Sequence, residues 1–436
     1  QIKENPYIQY FLGFEGYRSE KRPFDPSMMV HFRKRLDAET LKALDLRIYE
    51  KRRELEEAGA AGADDPPCES RAEGTEPCEI REASSETVGA PLPEGTLILD
   101  ATCVPMDITY PTDLKLLVSA RESAERLIDE LWKVWGKRGE TKPRTHRRIA
   151  ARHGAVACRQ RNLGGKKLRR ALKKQLSFLG RDLRIIDELL ASLHSDEAPA
   201  SLNDRQVKRL CTIRTIHRQQ KHMLDNNTRR VDHRIVSLSK PYVRPIVRGK
   251  AGARVEFGAK LLVAVEKGHS FLVASSWDNF NEGSLFIEGC EGYFERNGVW
   301  PEVVCADMIF RTRANLSWCR QRGIRLSGPS LGRPPLDQEK LAERKRLERL
   351  DASRRNEVEG IFGEGKRKYG LDLIRGKLAE TSESLIVLRF MIMNLRRMLR
   401  LFSPFFISMP KRFHVVISRV FLVLRLPWCF SQDCLC

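Results

Sequence analysis

The chain has few of the features that settle a protein's class at a glance. Its 11 cysteines include no C-x-x-C pair, and the closest two, Cys434 and Cys436, have no neighbouring histidine, so no cysteine-based zinc site is expected. A chain of this length and basicity reads as carrying reduced thiols rather than a disulfide framework. The nine histidines, among them His31, His146 and His153, show no paired spacing and read as surface or phosphate contacts. No apolar run reaches the roughly 20 clean residues that a bilayer requires. The most apolar stretch, Val415 to Cys429, is interrupted by Arg419 and Arg425. No secretory signal is evident, and no initiator Met is present, because the chain begins at Gln1 inside a helical pattern. An upstream part of a longer protein is therefore expected.

What is present is positive charge on a chain large enough for two or three domains. Across 436 residues, 78 Lys and Arg stand against 57 Asp and Glu, giving +21 with 41% hydrophobic residues to fill a core. Such a balance seeks a polyanion, and nucleic acid is the default partner. The charge is not evenly spread. Residues 54–94 hold 12 acids and two arginines among Ala, Gly, Pro and Ser, the composition of a disordered linker. Taking that −10 out of +21 leaves +31 on the remainder.

Before the linker, residues 1–53 place Tyr7, Tyr10, Phe11 and Phe14, then Met29, Phe32 and Leu36, at helical spacing. Pro23 and Pro26 separate the two runs, and a helical unit with a basic face is expected, either touching DNA or simply solvated. After the linker, Thr96-Leu97-Ile98-Leu99 reads as a short strand delivering Asp100 at its end. Residues from about 114 to 240 read as helical, with helices at Leu114 to Trp135 and Leu168 to Leu193. Arg147, Arg148, Lys166, Lys167, Arg169 and Arg170 belong to a cation-rich segment joining those helices, denser than a solvated face needs, and phosphate contact is the expectation.

Further on, Val255 to Val265 and Phe271 to Ala274 read as a hairpin turning at Glu266-Lys267-Gly268-His269. Glu282 to Asn297 reads as a helix stopped by Gly298, and Trp300 to Ala306 as a buried strand ending at Asp307. Thr312 to Arg322 is helical, Gly323 to Ser327 a short strand, Leu331 to Pro335 a loop, and helix resumes from about Gln338 and again from Glu380 to Leu401. Trp277, Trp300 and Trp318 are expected in the core rather than stacked on bases.

Asp100 and Asp307 follow apolar strand runs, and Glu359 falls in a helix between Arg355 and Lys366, at offsets of four and seven. At about 100° per residue those three share one face to within about 40°. Carboxylates at strand ends facing a helix suit hard divalent cations, and two such ions can serve an in-line displacement at a phosphodiester. Asp107, Asp113, Asp278, Glu357 and Glu364 compete for the same roles. Gly360, Gly363 and Gly365 weaken the helix, each by about 1 kcal/mol relative to Ala, and offer close backbone approach to DNA.

These residues resemble a known family, the DDE transposases of bacterial and archaeal insertion sequences. The similar stretches are Glu4-Asn5-Pro6-Tyr7-Ile8-Gln9-Tyr10-Phe11, then Leu99-Asp100-Ala101-Thr102 with Tyr110-Pro111-Thr112-Asp113, and Arg244-Pro245-Ile246-Val247-Arg248-Gly249-Lys250. Further matches are Ala306-Asp307 with Arg311-Thr312-Arg313-Ala314-Asn315, and Gly323-Ile324-Arg325-Leu326-Ser327-Gly328-Pro329 leading into Leu331-Gly332-Arg333-Pro334. Arg355-x-x-x-Glu359 with Lys366 and Tyr369-Gly370-Leu371 is similar to the family's Y-x2-R-x3-E-x6-K signature.

The resemblance spans most of residues 1–400 and implies an α/β fold, a ribonuclease H-like mixed sheet with a large helical insertion, plus an N-terminal all-α unit. It implies a catalytic domain over 95–400 and a divergent tail over 401–436. Asp100, Asp307 and Glu359 would be catalytic and would bind two Mg²⁺ or Mn²⁺ ions, with Arg355 and Lys366 handling DNA near the cut. The implied activity is strand cleavage and strand transfer on double-stranded element-end and target DNA, by a homo-oligomer in the cytoplasm, nucleoid-associated when bound. A nuclease without strand transfer, and a DNA-binding protein or decayed transposase without activity, are the rivals. Ala352 stands where the family signature has Tyr, family members usually carry residues before Glu4, and no match is found beyond about Phe402.

Overall fold

The computed structural model describes Gln9, Asp25 and residues 27–60, 92–135, 141–160, 163–195, 202–247, 255–329 and 338–407. The expectations for most of residues 1–26, for 61–91, for the Leu331 to Pro335 loop and for 408–436 fall outside them.

One mixed sheet organises residues 96–326. Its central strand β1 (Thr96–Pro105) runs antiparallel to β3 (Val255–Glu266) and parallel to β5 (Val303–Ala306), and β6 (Arg325–Leu326) continues the parallel side. The other edge of β3 takes β2 (Arg244–Val247) near its start and β4 (His269–Ser276) along its end. Lys267 and Gly268 turn the β3–β4 hairpin with φ of 47° and 79°, the paired left-handed values of a type I′ turn.

The short strand expected to end at Asp100 is in fact ten residues long, with Asp100 at its middle. Ala101, Thr102, Cys103 and Val104 are all buried, and each finds a partner on β3, from Leu262 back to Ala259. The ladder with β3 therefore continues after the ladder with β5 has stopped.

Alternation along β1 splits the core in two. Ile98 and Val104 join Val263, Cys305, Val358, Phe362, Ile386 and Phe390 on one face; Leu97, Leu99 and Ala101 join Leu262, Val304, Phe286, Cys290 and Phe310 on the other. The first face is covered by α9 (Gln338–Lys368) and α10 (Ala379–Ile407), the second by α7 (Phe286–Asn297) and α8 (Arg313–Gln321). Trp277, Trp300 and Trp318 pack against these clusters, as expected of core tryptophans. Helix α9 runs unbroken through Gly360, Gly363 and Gly365; at Gly365 a Cβ would meet Leu371 at 2.6 Å, so close packing accounts for that glycine.

Between β1 and β2 the chain builds a bundle of α3 (Asp113–Trp135), α4 (Arg147–Arg159), α5 (Gly165–Ser195) and α6 (Asp204–Asp225). Leu117, Ala120, Ala124, Ile128 and Leu131 on α3 meet Leu179, Leu183 and Ile186 on α5 and Ile213 and Ile216 on α6, a core separate from that of the sheet. Asn203 opens α6 with a capping box completed by Gln206.

Before the sheet, α1 (Met28–Arg35) leads into α2 (Ala38–Ala60). Helix α2 is docked on the sheet: Tyr49 enters the core, Arg52 donates to the Lys267 carbonyl at 2.8 Å, and Asn394 of α10 bonds both Asp45 oxygens at 3.0 and 3.1 Å. The helix also extends into the acidic segment, because Glu54, Glu56 and Glu57 pair with Lys51, Arg52 and Arg53 one turn earlier. Among the described residues no helix is long and apolar enough to cross a membrane.

Candidate active site

The parallel ladder between β1 and β5 ends with the pair Leu99 and Ala306. Asp100 and Asp307 are the next residues, so both come off at one level of the sheet, on the face covered by α9. For Asp307 the backbone then leaves the strand into a 3₁₀ turn, Met308–Phe310, whose first N–H donates to Asp307 Oδ1 at 2.8 Å. Asp100 Oδ1 accepts the Ala101 N–H, also at 2.8 Å.

Burial pushes the Asp100 carboxyl up to about 6, and the negative charges of Asp307 and Glu282 add to that push. The Ala101 N–H and the Arg355 guanidinium work in the opposite direction. Arg355 is supplied by α9: Nη1 lies 3.2 Å from Asp307 Oδ1, and Nη2 lies 4.0 Å from Glu359 Oε1 one turn further along. Lys366 stands two turns beyond Glu359 on the same helix, about 10 Å on. One cation thus bridges two of the three expected acids, and the third is close enough to feel both Asp307 and Arg355.

Among the described residues no three His, Cys, Asp or Glu side chains are gathered tightly enough to grip an ion, and Arg355 lies between Asp307 and Glu359. The donor set nevertheless fits a hard divalent cation. It is all carboxylate oxygen, and Asp100 is held against ionisation by burial and like charge, a cost that a nearby cation would relieve.

The turn bearing Asp307 is stapled from below. Arg311 donates to the Leu326 carbonyl at 2.8 Å and also to that of Ser327; Thr312 caps α8 through the Asn315 N–H at 3.1 Å; Asn315 Nδ2 reaches the Phe310 and Gly283 carbonyls at 2.8 and 2.9 Å. The Arg311 to Asn315 motif is therefore a clamp on the Asp307 turn. Phe310 is fully buried beneath it, while Met308 and Ile309 face outward. Glu282, whose charge reaches Asp100, was not singled out from sequence. It lies at the start of a helical turn where an acid is an ordinary capping residue, and Lys260 holds it at 2.9 Å.

The competing acids are engaged elsewhere. Asp113 pairs with Arg234 at 2.6 Å, Asp278 with Arg244 at 3.4 Å, Glu357 with Arg397 at 3.1 Å and Glu364 with Lys368 at 3.2 Å. Asp107 is exposed at the loop that follows β1. Ala352 is exposed on α9, one residue after Asp351, which Arg325 grips at 2.6 and 2.8 Å.

The cations of the insertion divide into two kinds. Arg147 is bidentate on Asp129 at 3.0 and 2.7 Å, and with Lys142 it holds that carboxyl down at about 2. Arg169 donates to Asn227 Oδ1 at 2.8 Å and to the Leu224 carbonyl at 3.0 Å. Arg148, Lys166, Lys167 and Arg170 are exposed and have no side-chain partner among the described residues.

Residues 304–396 match a protein family described as Transposase DDE domain. That stretch contains Asp307, Arg355, Glu359 and Lys366, and leaves Asp100 and the helical insertion outside it. No curated protein and no solved structure matches the chain.

Proposed function

We propose that this chain, a DDE transposase of an insertion sequence by the match over residues 304–396, cuts DNA at the element ends and joins the freed 3′-hydroxyl to target DNA. The observation that carries the reading is the register: Asp100 and Asp307 leave neighbouring strands at one level, opposite the face of α9 that holds Arg355 and Glu359. A ribonuclease H-like catalytic fold accords with a central β1 antiparallel to β3 and parallel to β5, with β4 and β6 outside them.

In this reading Asp100, Asp307 and Glu359 hold Mg²⁺ or Mn²⁺. A pair of such ions, when bound, supplies activation of the attacking oxygen and stabilisation of the leaving one at a phosphodiester. Arg355 keeps Asp307 and Glu359 together until DNA arrives, then turns its guanidinium to the phosphates beside the cut. Lys366, on the same helical face, takes flanking phosphate. Arg148, Lys166, Lys167 and Arg170 follow the backbone of the bound duplex, while Arg147 and Arg169 fix the helices that present them. Two DNA ends and a target require at least two active sites, so a homo-oligomer assembled on DNA is part of the proposal.

Asp307→Asn and Glu359→Gln test it. Cleavage of end-containing DNA should be lost while DNA binding persists, and retained cleavage would remove these residues from the site. Supplying pre-cut 3′-hydroxyl ends with a plasmid target separates strand transfer from simple hydrolysis. A second reading, a DNA-binding protein without activity, is favoured by Ala352 at the family's Tyr position and by the salt-bridged state of Asp307. Tight DNA binding with no cleavage in Mn²⁺ would select it.

A further inference from the structure

Three buried or half-buried cations of the helical insertion are matched to an acid. Arg121 lies against Glu125, Arg147 is bidentate on Asp129, and Arg234 reaches Asp113 at 2.6 Å. One group departs from that pairing. Between the middle of α3 and the start of α6, Arg126, Arg205 and Arg209 line one open cavity of about 370 Å³. Among the described residues none of the three has a carboxylate partner; Arg209 is anchored instead by donating to the Leu238 carbonyl at 3.0 Å.

The cavity wall is rigid where it is polar. Gln206 is fixed by the capping box with Asn203, and its Nε2 donates to Glu130, the acid in the wall, at 2.6 Å. Three guanidiniums thus face one carboxylate that is already engaged. Burial pushes Arg209 below its ordinary value, and the charges of Arg126 and Arg205 push it further. An anion entering the cavity would offset the repulsion between half-buried Arg209 and its two neighbours.

The geometry points to a phosphate-binding pocket formed by Arg126, Arg205 and Arg209, separate from the acid site. Phosphate is the class of anion whose tetrahedral oxygens accept several planar guanidinium forks at once. None of the residues lining the pocket belongs to the acid site, and Arg126 lies about 20 Å along α3 from the first residue of that helix, Asp113. The phosphate belongs either to a DNA backbone or to a free phosphate compound, and the two sources are separable.

The test uses the full chain and the double variant R126A/R205A, two exposed positions whose loss leaves the bundle core intact. Its melting temperature in phosphate-free buffer should be no lower than that of the parent. With random-sequence duplex DNA as probe, a DNA source predicts that the slope of log affinity against log salt falls by about two. A free-phosphate source predicts unchanged DNA binding but loss of the thermal stabilisation given by inorganic phosphate or pyrophosphate. R184A/R218A, two exposed arginines outside the cavity, controls for net charge. If neither readout moves in R126A/R205A, or if the control pair moves them equally, the pocket is not a phosphate site.

Discussion

Arg355 spans from α9 to the end of β5 and sets Nη1 3.2 Å from Asp307 Oδ1, while its other terminal nitrogen lies 4.0 Å from Glu359 on its own helix. The guanidinium therefore sits between two carboxylates, where it also offsets the charge felt by Asp100. Removing it changes more than one contact.

Arg355→Gln should shift the pH dependence of cleavage. Arg355 lowers the Asp100 value from where burial alone would put it, so its removal moves that titration above about 6. If Asp100 must be ionised for activity, the acidic limb of the rate profile moves to higher pH in the variant. An unmoved limb, with a lower rate throughout, would restrict Arg355 to phosphate contact.

Asp100→Asn should stabilise the fold above pH 6 while abolishing cleavage. The folded value, about 6, is raised above the ordinary carboxyl value, so the stabilising contribution is full at low pH and is lost as pH rises through about 6. Replacing the ionised form by a neutral isostere at pH 8 should recover roughly 1–3 kcal/mol, and the gain should vanish near pH 4. Denaturant melts at the two pH values measure it.

Asp182 gives the same sign in the helical insertion. Its carboxyl is fully buried on α5, neither oxygen has a hydrogen-bond partner among the described residues, and burial followed by the charge of Glu125 pushes it up to about 7. Its stabilising contribution is complete below about 4 and disappears as pH rises through about 7. Asp182→Asn should be close to neutral near pH 4 and stabilising by roughly 1–3 kcal/mol at pH 8, read by thermal unfolding.

Asn394→Ala should be among the most costly single changes outside the apolar core. Asn394 accepts the Ser270 N–H at 2.9 Å and donates to the Ser270 carbonyl and to both oxygens of buried Asp45. Truncation strands Asp45 and a β4 backbone pair, at about 2–4 kcal/mol. Equilibrium denaturation measures the loss, and Asn394→Asp should not rescue it, because it sets two acids side by side.

Much of the sheet could be read from local pattern. Lys267-Gly268 announces its own turn, Val303 to Ala306 is a short run of small and branched apolar residues before an acid, and Gly298 ends its helix with φ of 73°. The face of α9 carrying Arg355 and Glu359 follows from helical periodicity alone. The length of β1 was not legible, because Ala101 to Val104 become a strand only by pairing with Leu262 to Ala259, far along the chain. Glu282 was missed for a similar reason: its relation to Asp100 exists only once the turn that carries it is brought to Lys260 of β3. The docking of α2 on α10 joins positions 349 residues apart, beyond any local signal.

The contact between Asp45 and Asn394 also orders events in time. On the ribosome, α2 emerges 349 residues before its polar partner on α10, and β1 waits for β3 across the whole insertion. The bundle of α3, α5 and α6 draws its buried core from residues 116–235. Because nearby pairings close faster than distant ones, pulse-labelled hydrogen exchange should protect Leu117, Leu179 and Ile213 before Leu97 and Val304. Asp100 and Asp307 would then come together late, after the chain's most basic region has already taken shape.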